Sequence, residues 1–250
     1  YKPDSGTPNA PFALLAGVQL YGGFNGTEAT LGARNVAANV TILSGDHAGD
    51  DIPGDFTQKR TDNATHVVEI AAGIGTAAPA VVDGFTISGG HTKVGAANAD
   101  LSRRGGGILA NAPLTARNCR FTDNYSESGS GLAALGAAAS GVLVDNCLFE
   151  ANEATAGSAG IFLRDLSAGG EVNQCIFRNN KTNRGCLYPL TSSGIVVDSC
   201  LFENNDAGAN FTGGMFTWQT NFTLTNSIFR NNTATSSAAM YNDGRAGNHF

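Results

Sequence analysis

Five times in this chain a Cys or Ser is followed two residues later by Phe, and the Phe three residues later by Asn: NCRFTDN (118–124), NCLFEAN (146–152), QCIFRNN (174–180), SCLFENN (199–205) and NSIFRNN (226–232). The Phe residues, Phe121, Phe149, Phe177, Phe202 and Phe229, are 28, 28, 25 and 27 residues apart. A sustained period of this length marks a repeat architecture, in which each unit buries its apolar face only against its neighbours.

A second phrase, small-small-apolar, falls between copies of the first: GGGIL (105–109), GSGLA (129–133), SAGIF (158–162), RGCLY (184–188), GGMFT (213–217) and SAAMY (237–241). A third short apolar run precedes each Cys or Ser: LTARNC, VLVDNC, EVNQC, IVVDSC and TLTNS. Each period therefore holds three short runs of period-2 alternation joined by Gly- and Asn-rich corners, and none is long enough for a helix. The one helix-like stretch, 132–139, is built of small residues that suit a corner equally well. Three strands per turn, stacked in register, predict an all-β fold: a single right-handed parallel β-helix of about eight coils, with neighbouring coils ~4.8 Å apart. A leucine-rich repeat has a similar period but wants L-x-x-L-x-L ahead of the Asn, which these copies lack.

The repeat extends backwards. VDGFTISGG (82–90) places Phe85 at the Cys position and Ile87 at the Phe position; NVTILSGD (39–46) contributes Leu43, and GVQLYGG (17–23) contributes Leu20. The expected inner ladder is Leu20, Leu43, Ile87 and then the five Phe, with long steps that predict loops at 45–65 and 91–104. The whole chain reads as one domain: irregular coils over 1–90, a loop over 91–104, regular coils over 105–250, the whole cut from a longer protein. Period 2 turns Cys119, Cys147, Cys175 and Cys200 inward with the Phe residues, and Val144, Val172, Val197 and Leu224 inward across a corner. The ladder Asn124, Asn152, Asn180, Asn205 and Asn232 sits at the following corner, where each amide can donate and accept between coils.

With 33 Gly in 250 residues and only 14% charged residues, the chain suits turns and sheets better than helices. Its net charge of −6 argues against nucleic acid or an anionic membrane as partner. No apolar run approaches the ~20 residues of a membrane span. Five Cys leave at least one thiol without an intrachain partner. Side chains stacked one coil apart point in parallel, which holds Cβ atoms wider than a disulfide prefers. The four ladder thiols are therefore expected to be buried, reduced and inert.

Residues between the inward positions face out. Leu148, Ile176, Leu201 and Ile228 form one such row, interrupted at Arg120; Leu109, Phe162, Leu187, Phe216 and Tyr241 are read as a second. A contiguous exposed apolar stripe marks an interaction surface, so these rows predict lateral association with another copy, another protein chain or the rest of the same longer chain. Thr122, Glu150, Arg178, Glu203 and Arg230 also face out, and their alternating charge reads as cross-strand ion pairs rather than a catalytic cluster. The densest acidic stretch, SGDHAGDDIPGDF (44–56), carries Asp46, Asp50, Asp51 and Asp55. Closely spaced Asp among Gly turns suits Ca²⁺, although the spacing is not that of an EF-hand and a solvated turn would look alike. His47, His66, His91 and His249 are scattered and have no nucleophile context.

Residues 105–242, with GGGI, GGM and all five Phe-x-x-Asn copies, resemble the repeats of chlamydial polymorphic outer-membrane proteins. Residues 17–90, with LYGGFNGTE, ILSGD and GFTISGG, are similar to the opening coils of secreted bacterial proteins in the pectin-lyase-like group. The first resemblance implies a surface-displayed adhesin or passenger module. The second implies a fold that serves lyases, hydrolases and non-enzymes alike. The expectation is a secreted or cell-surface bacterial module, non-enzymatic and adhesin-like. The competing expectation is a carbohydrate-active or carbohydrate-binding β-helix that meets cell-surface glycans.

Overall fold

The computed structural model describes residues 1–3, 10–71, 78–92 and 103–244. Three parallel sheets form the sides of a solenoid. The first sheet has eight strands, from Phe12–Leu14 through Val68–Ile70, Ile108–Ala110, Leu132–Leu135, Ile161–Arg164, Leu187–Leu190 and Met215–Trp218 to Met240–Asp243. The second runs in seven strands from Gln19–Tyr21 to Phe222–Thr225, and the third in seven from Thr41–Ser44 to Ile228–Arg230. The described residues thus complete seven coils and lay down the opening strand of an eighth.

Side-chain size explains the register. In the third sheet the inward column is Leu43, Ile87, Phe121, Phe149, Phe177, Phe202 and Phe229, each paired with the next. The rings of Phe121 to Phe229 stack with centroids 4.5, 5.0, 4.6 and 4.6 Å apart and are nearly parallel. Strand spacing sets this separation, since neighbouring parallel strands lie ~4.8 Å apart. Across the lumen the rings lie on the small-small-apolar phrase. A Cβ added at Gly131, Gly160 or Gly214 would come within 2.5, 2.7 and 2.7 Å of the Cδ1 of Phe149, Phe177 and Phe229. These glycines are there for space, and the two recurring phrases of the sequence are the two halves of one contact.

Corners are made by left-handed residues. Asn118, Asn146, Gln174, Ser199 and Asn226, with φ from 49° to 55°, turn the second sheet into the third. The Cys or Ser that follows each of them satisfies the bend: Cys175 Sγ lies 3.2 Å from Asn173 O, and Ser227 Oγ donates to Thr225 O at 2.8 Å. At the next corner Asp123, Ala151, Asn179, Asn204 and Asn231 take the same conformation ahead of the Asn ladder. There Asn180 Nδ2 donates to Phe149 O and to Asn205 Oδ1, both at 2.9 Å, and Asn180 Oδ1 accepts from the Asn152 backbone N–H at 3.0 Å. Asn124, Asn152, Asn205 and Asn232 repeat the pattern.

The first coil departs from expectation. Leu20 pairs with Val82 in the second sheet rather than with Leu43, so the 23-residue step lies inside one coil. Residues 22–40 leave the solenoid between the second and third sheets and include a short 3-10 turn, Leu31–Ala33. The helix-like stretch divides into the strand Leu132–Leu135 and the 3-10 turn Ala137–Ala139. Most of the expected 91–104 loop lies outside the described residues. No helix among the described residues is long and apolar enough to cross a membrane, which says nothing of strands.

Candidate functional site

The outer face of the third sheet carries two columns. One runs Ile42, Thr86, Arg120, Leu148, Ile176, Leu201 and Ile228. Ile42, Ile176 and Ile228 are 44%, 36% and 57% exposed, and Leu148 and Leu201 are half-buried. Beside it Glu150 sits between two arginines, 2.5 Å from Arg120 Nε and 2.8 Å from Arg178 Nε, and Glu203 lies 2.6 Å from Arg230 Nη2. Burial works to raise the Glu150 pKa, but the bonds and charges of Arg178 and Arg120 outweigh it and hold the carboxyl below its ordinary value. Arg120 interrupts the apolar column and completes the ionic one. A carboxylate held this way is poorly suited to trade a proton near neutrality.

The second expected row is corrected. Leu187 faces the core, because it pairs with the inward Ile161, and Tyr188 is the outward residue of that coil. Phe162 and Phe216 do face away from the lumen, but they are 2% and 1% exposed and form a second apolar cluster with Leu109, Ala133, Leu135 and Tyr188. Their cover comes in part from this chain: Arg104 lies over the Phe162 ring and Phe211 meets Phe216 edge-on. Only Tyr241 of that row is exposed.

A groove of about 890 Å³ opens where the second sheet turns into the third, roofed by the 22–40 excursion. Leu148 and Ile176 share it with Val36, Val40, Gln174 and three arginines. Arg34 is committed to Asp83 at 2.6 Å, and Arg120 to Glu150. Arg117 differs. Its Nε is buried without a hydrogen-bond partner, and Asp83 and Asp145 flank it in register.

The 45–65 loop folds back on the third coil. Arg60 holds it there, reaching Asp51 at 2.5 Å, Asp123 at 3.0 Å and the carbonyls of Ile52 and Asp55. Phe56 and His91 both stack on Tyr125, at 5.5 and 4.6 Å. Burial lowers the His91 pKa and keeps the ring neutral. Asp46, Asp50 and Asp51 come together, whereas Asp55 turns back to cap Thr57 and Gln58. Burial pushes the Asp51 carboxyl up to about 6, against the pull of Asn63 and Arg60. His66 meets the Gly105 carbonyl, and His249 lies outside the described residues.

A family model described as right handed beta helix region matches residues 71–202, just over half of the chain. The chain belongs to the right-handed β-helix family. No curated protein and no solved structure matches it. Within this β-helix all five cysteines are buried and unbridged, and burial raises the Cys147 and Cys186 thiols. Sequence reasoning missed Arg60, Arg117, Tyr188 and Ile42. Ile42 and Tyr188 are recoverable by carrying the strand register one coil further. Arg117, the last residue of a second-sheet strand, is recoverable in the same way, whereas Arg60 carries no signal, since it depends on where a loop lands.

Proposed function

We propose that this β-helix is a non-enzymatic, adhesin-like interaction module of the cell surface. Its contact face is the outer face of the third sheet, and the partner is a second copy of the chain. The observation that carries the reading is the outward column ending in half-buried Leu148 and Leu201 and exposed Ile176 and Ile228, on a sheet whose inner face is already filled. A parallel strand apolar on both faces is usually covered on both. Charge favours a copy as the occupant: Arg120, Arg178 and Arg230 against Glu150 and Glu203 leave this face one positive charge from neutral, in a chain of net charge −6. Two such faces can meet about a two-fold axis without the repulsion that other acidic parts of the surface would bring.

The test is the double variant Ile176→Lys with Leu201→Glu, followed by light scattering over a wide concentration range and by thermal melting. Dissociation of a wild-type dimer with an unchanged melting temperature supports the interface. A wild-type chain that stays monomeric throughout, or a double variant that simply unfolds, refutes it.

The groove supports a second reading, carbohydrate binding, because Arg117 is an uncommitted guanidinium beside Gln174 and apolar walls. Titration with an acidic oligosaccharide distinguishes the two. Binding by the wild type that is lost in Arg117→Ala favours the groove, and no binding by either removes it.

A further inference from the structure

One carboxylate oxygen from each of Asp46, Asp50 and Asp51 lies within 4.8 Å of the other two. Asp46 is anchored by its own turn, accepting from the N–H groups of Gly49 at 2.5 Å, Asp50 at 3.3 Å and Asp51 at 3.2 Å. So far this describes a polar turn, and acidic turns are common.

A separate observation distinguishes this one. The Asp51 side chain is only 9% exposed; its Oδ2 is taken by Arg60 and Asn63, and its Oδ1 is buried with no hydrogen-bond partner. Asn63 is 2% exposed and donates through Nδ2 to both Asp51 Oδ2 at 2.9 Å and Gly89 O at 2.6 Å. Those two acceptors fix the amide, because the flipped orientation would set oxygen against oxygen twice. The Asn63 Oδ1 is therefore a second buried acceptor without a donor. Two such acceptors on residues that are hydrogen-bonded to each other call for a donor or a cation, since a buried unpaired acceptor is costly to leave unmade.

The charge around the loop agrees. Asp46, Asp50, Asp51, Asp55, Asp62 and Asp123 face Lys2, Lys59 and Arg60, six negative groups against three positive. Every candidate ligand atom is a hard oxygen, which disfavours ions that seek sulfur or imidazole. The three carboxylates sit at irregular positions on a turn. Ca²⁺ accepts six to eight oxygens in a flexible shell, whereas Mg²⁺ demands a near-octahedral one.

We propose that Asp46, Asp50 and Asp51 bind a single Ca²⁺ ion that braces the 45–65 loop against the solenoid corner at Gly89. Asp55, the fourth acidic residue of the stretch, takes no part, because its carboxylate is spent on Thr57 and Gln58. The ion would sit against Asp51, which Arg60 already ties to the third coil through Asp123.

The experiment is calorimetric titration of the whole chain with CaCl₂, then with MgCl₂, together with thermal melting in excess chelator and in excess Ca²⁺. The expected result is saturable Ca²⁺ binding, weaker Mg²⁺ binding, and a melting temperature raised by about 5–10 °C at a hundredfold excess over Kd. Asp50→Asn removes an exposed ligand whose one ion pair among the described residues is with Lys59. It should weaken Ca²⁺ binding by about tenfold or more while leaving the melting temperature in chelator unchanged. Asp55→Asn removes the same charge outside the cluster and should bind Ca²⁺ as the wild type does. Identical melting in chelator and in Ca²⁺ overturns the site. Equal weakening in Asp50→Asn and Asp55→Asn overturns it too, since the loop would then attract cations only diffusely.

Discussion

Phe177 is the middle ring of the inner ladder, fully buried, with Phe149 stacked 5.0 Å away on one side and Phe202 4.6 Å away on the other. Phe177→Ala empties a slot that neither neighbour can close, because Phe149 and Phe202 are each held on their own strand by parallel pairing, and Phe149 also rests on Gly131. A phenyl group burying about 150 Å² at about 25 cal/mol/Å² contributes about 4 kcal/mol, within the 3–5 kcal/mol range found for buried Phe→Ala changes. For a chain of this size that is a fall of about 8–16 °C in melting temperature. Phe229→Ala is the internal comparison. Phe229 is only half-buried and, within the ladder, stacks on Phe202 alone, at 4.6 Å, so its loss should be about half as large. Urea unfolding followed by far-ultraviolet circular dichroism measures both. A loss below about 1 kcal/mol for Phe177→Ala, or equal losses for the two variants, would refute a load shared ring by ring along the ladder.

Asn180→Ala removes the donor to Phe149 O and the acceptor for Asn152 N–H from a buried corner, and should cost about 3 kcal/mol in urea unfolding; an effect under about 1 kcal/mol would mean that water replaces the amide. Arg60→Ala should free the 45–65 loop, so limited proteolysis should cut there while the solenoid persists as a folded fragment; an unchanged digestion pattern counts against Arg60 as the tether. Because the folded-state pKa of Glu150 lies below its unfolded value, its contribution is present above about pH 4.3 and is lost as the pH falls below that. Glu150→Gln should therefore flatten the acid limb of the stability curve, and a limb of unchanged slope would contradict the pairing. All five thiols should resist alkylation in the folded protein and all react after unfolding without reductant; intact mass showing fewer than five adducts would reveal a bridge.

What could be read from the sequence follows from what repetition averages out. The Phe and Asn columns recur five times, so an error in one copy is corrected by the other four, and strand, register and inward face all follow. The first coil has no such support. Leu20 lies 23 residues before Leu43, close to a full period, yet the 22–40 excursion fills that distance inside one coil. Leu187 reads as outward in the sequence where Tyr188 belongs, because RGCLY carries Cys186 at the position that Gly160 fills in SAGIF, which blurs the phase of the phrase. Burial on the outer face is less legible still. Phe162 and Ile176 both point away from the lumen, but one is covered and the other exposed, and the difference depends on side chains such as Arg104 that arrive from other coils. The acidic loop was visible as composition. That Asp55 turns away from the cluster, and that Asn63 supplies a second unpartnered oxygen, depends on a fold-back that no periodicity encodes.

The charged column beside the apolar one imposes a parity on the molecule. From Phe121 to Phe229 the core contacts repeat at each step, Phe on Phe and Asn to Asn, so the interior there would accept the loss or gain of a single coil. The surface would not. Removing residues 175–199 would set Glu150 directly beside Glu203, two carboxylates in register on neighbouring strands, which is unfavourable. Removing residues 175–226, two coils together, would instead bring Glu150 beside Arg230 and preserve the alternation of sign. A solenoid indifferent inside to how many turns it has is thus biased on its outer face towards changing length two turns at a time.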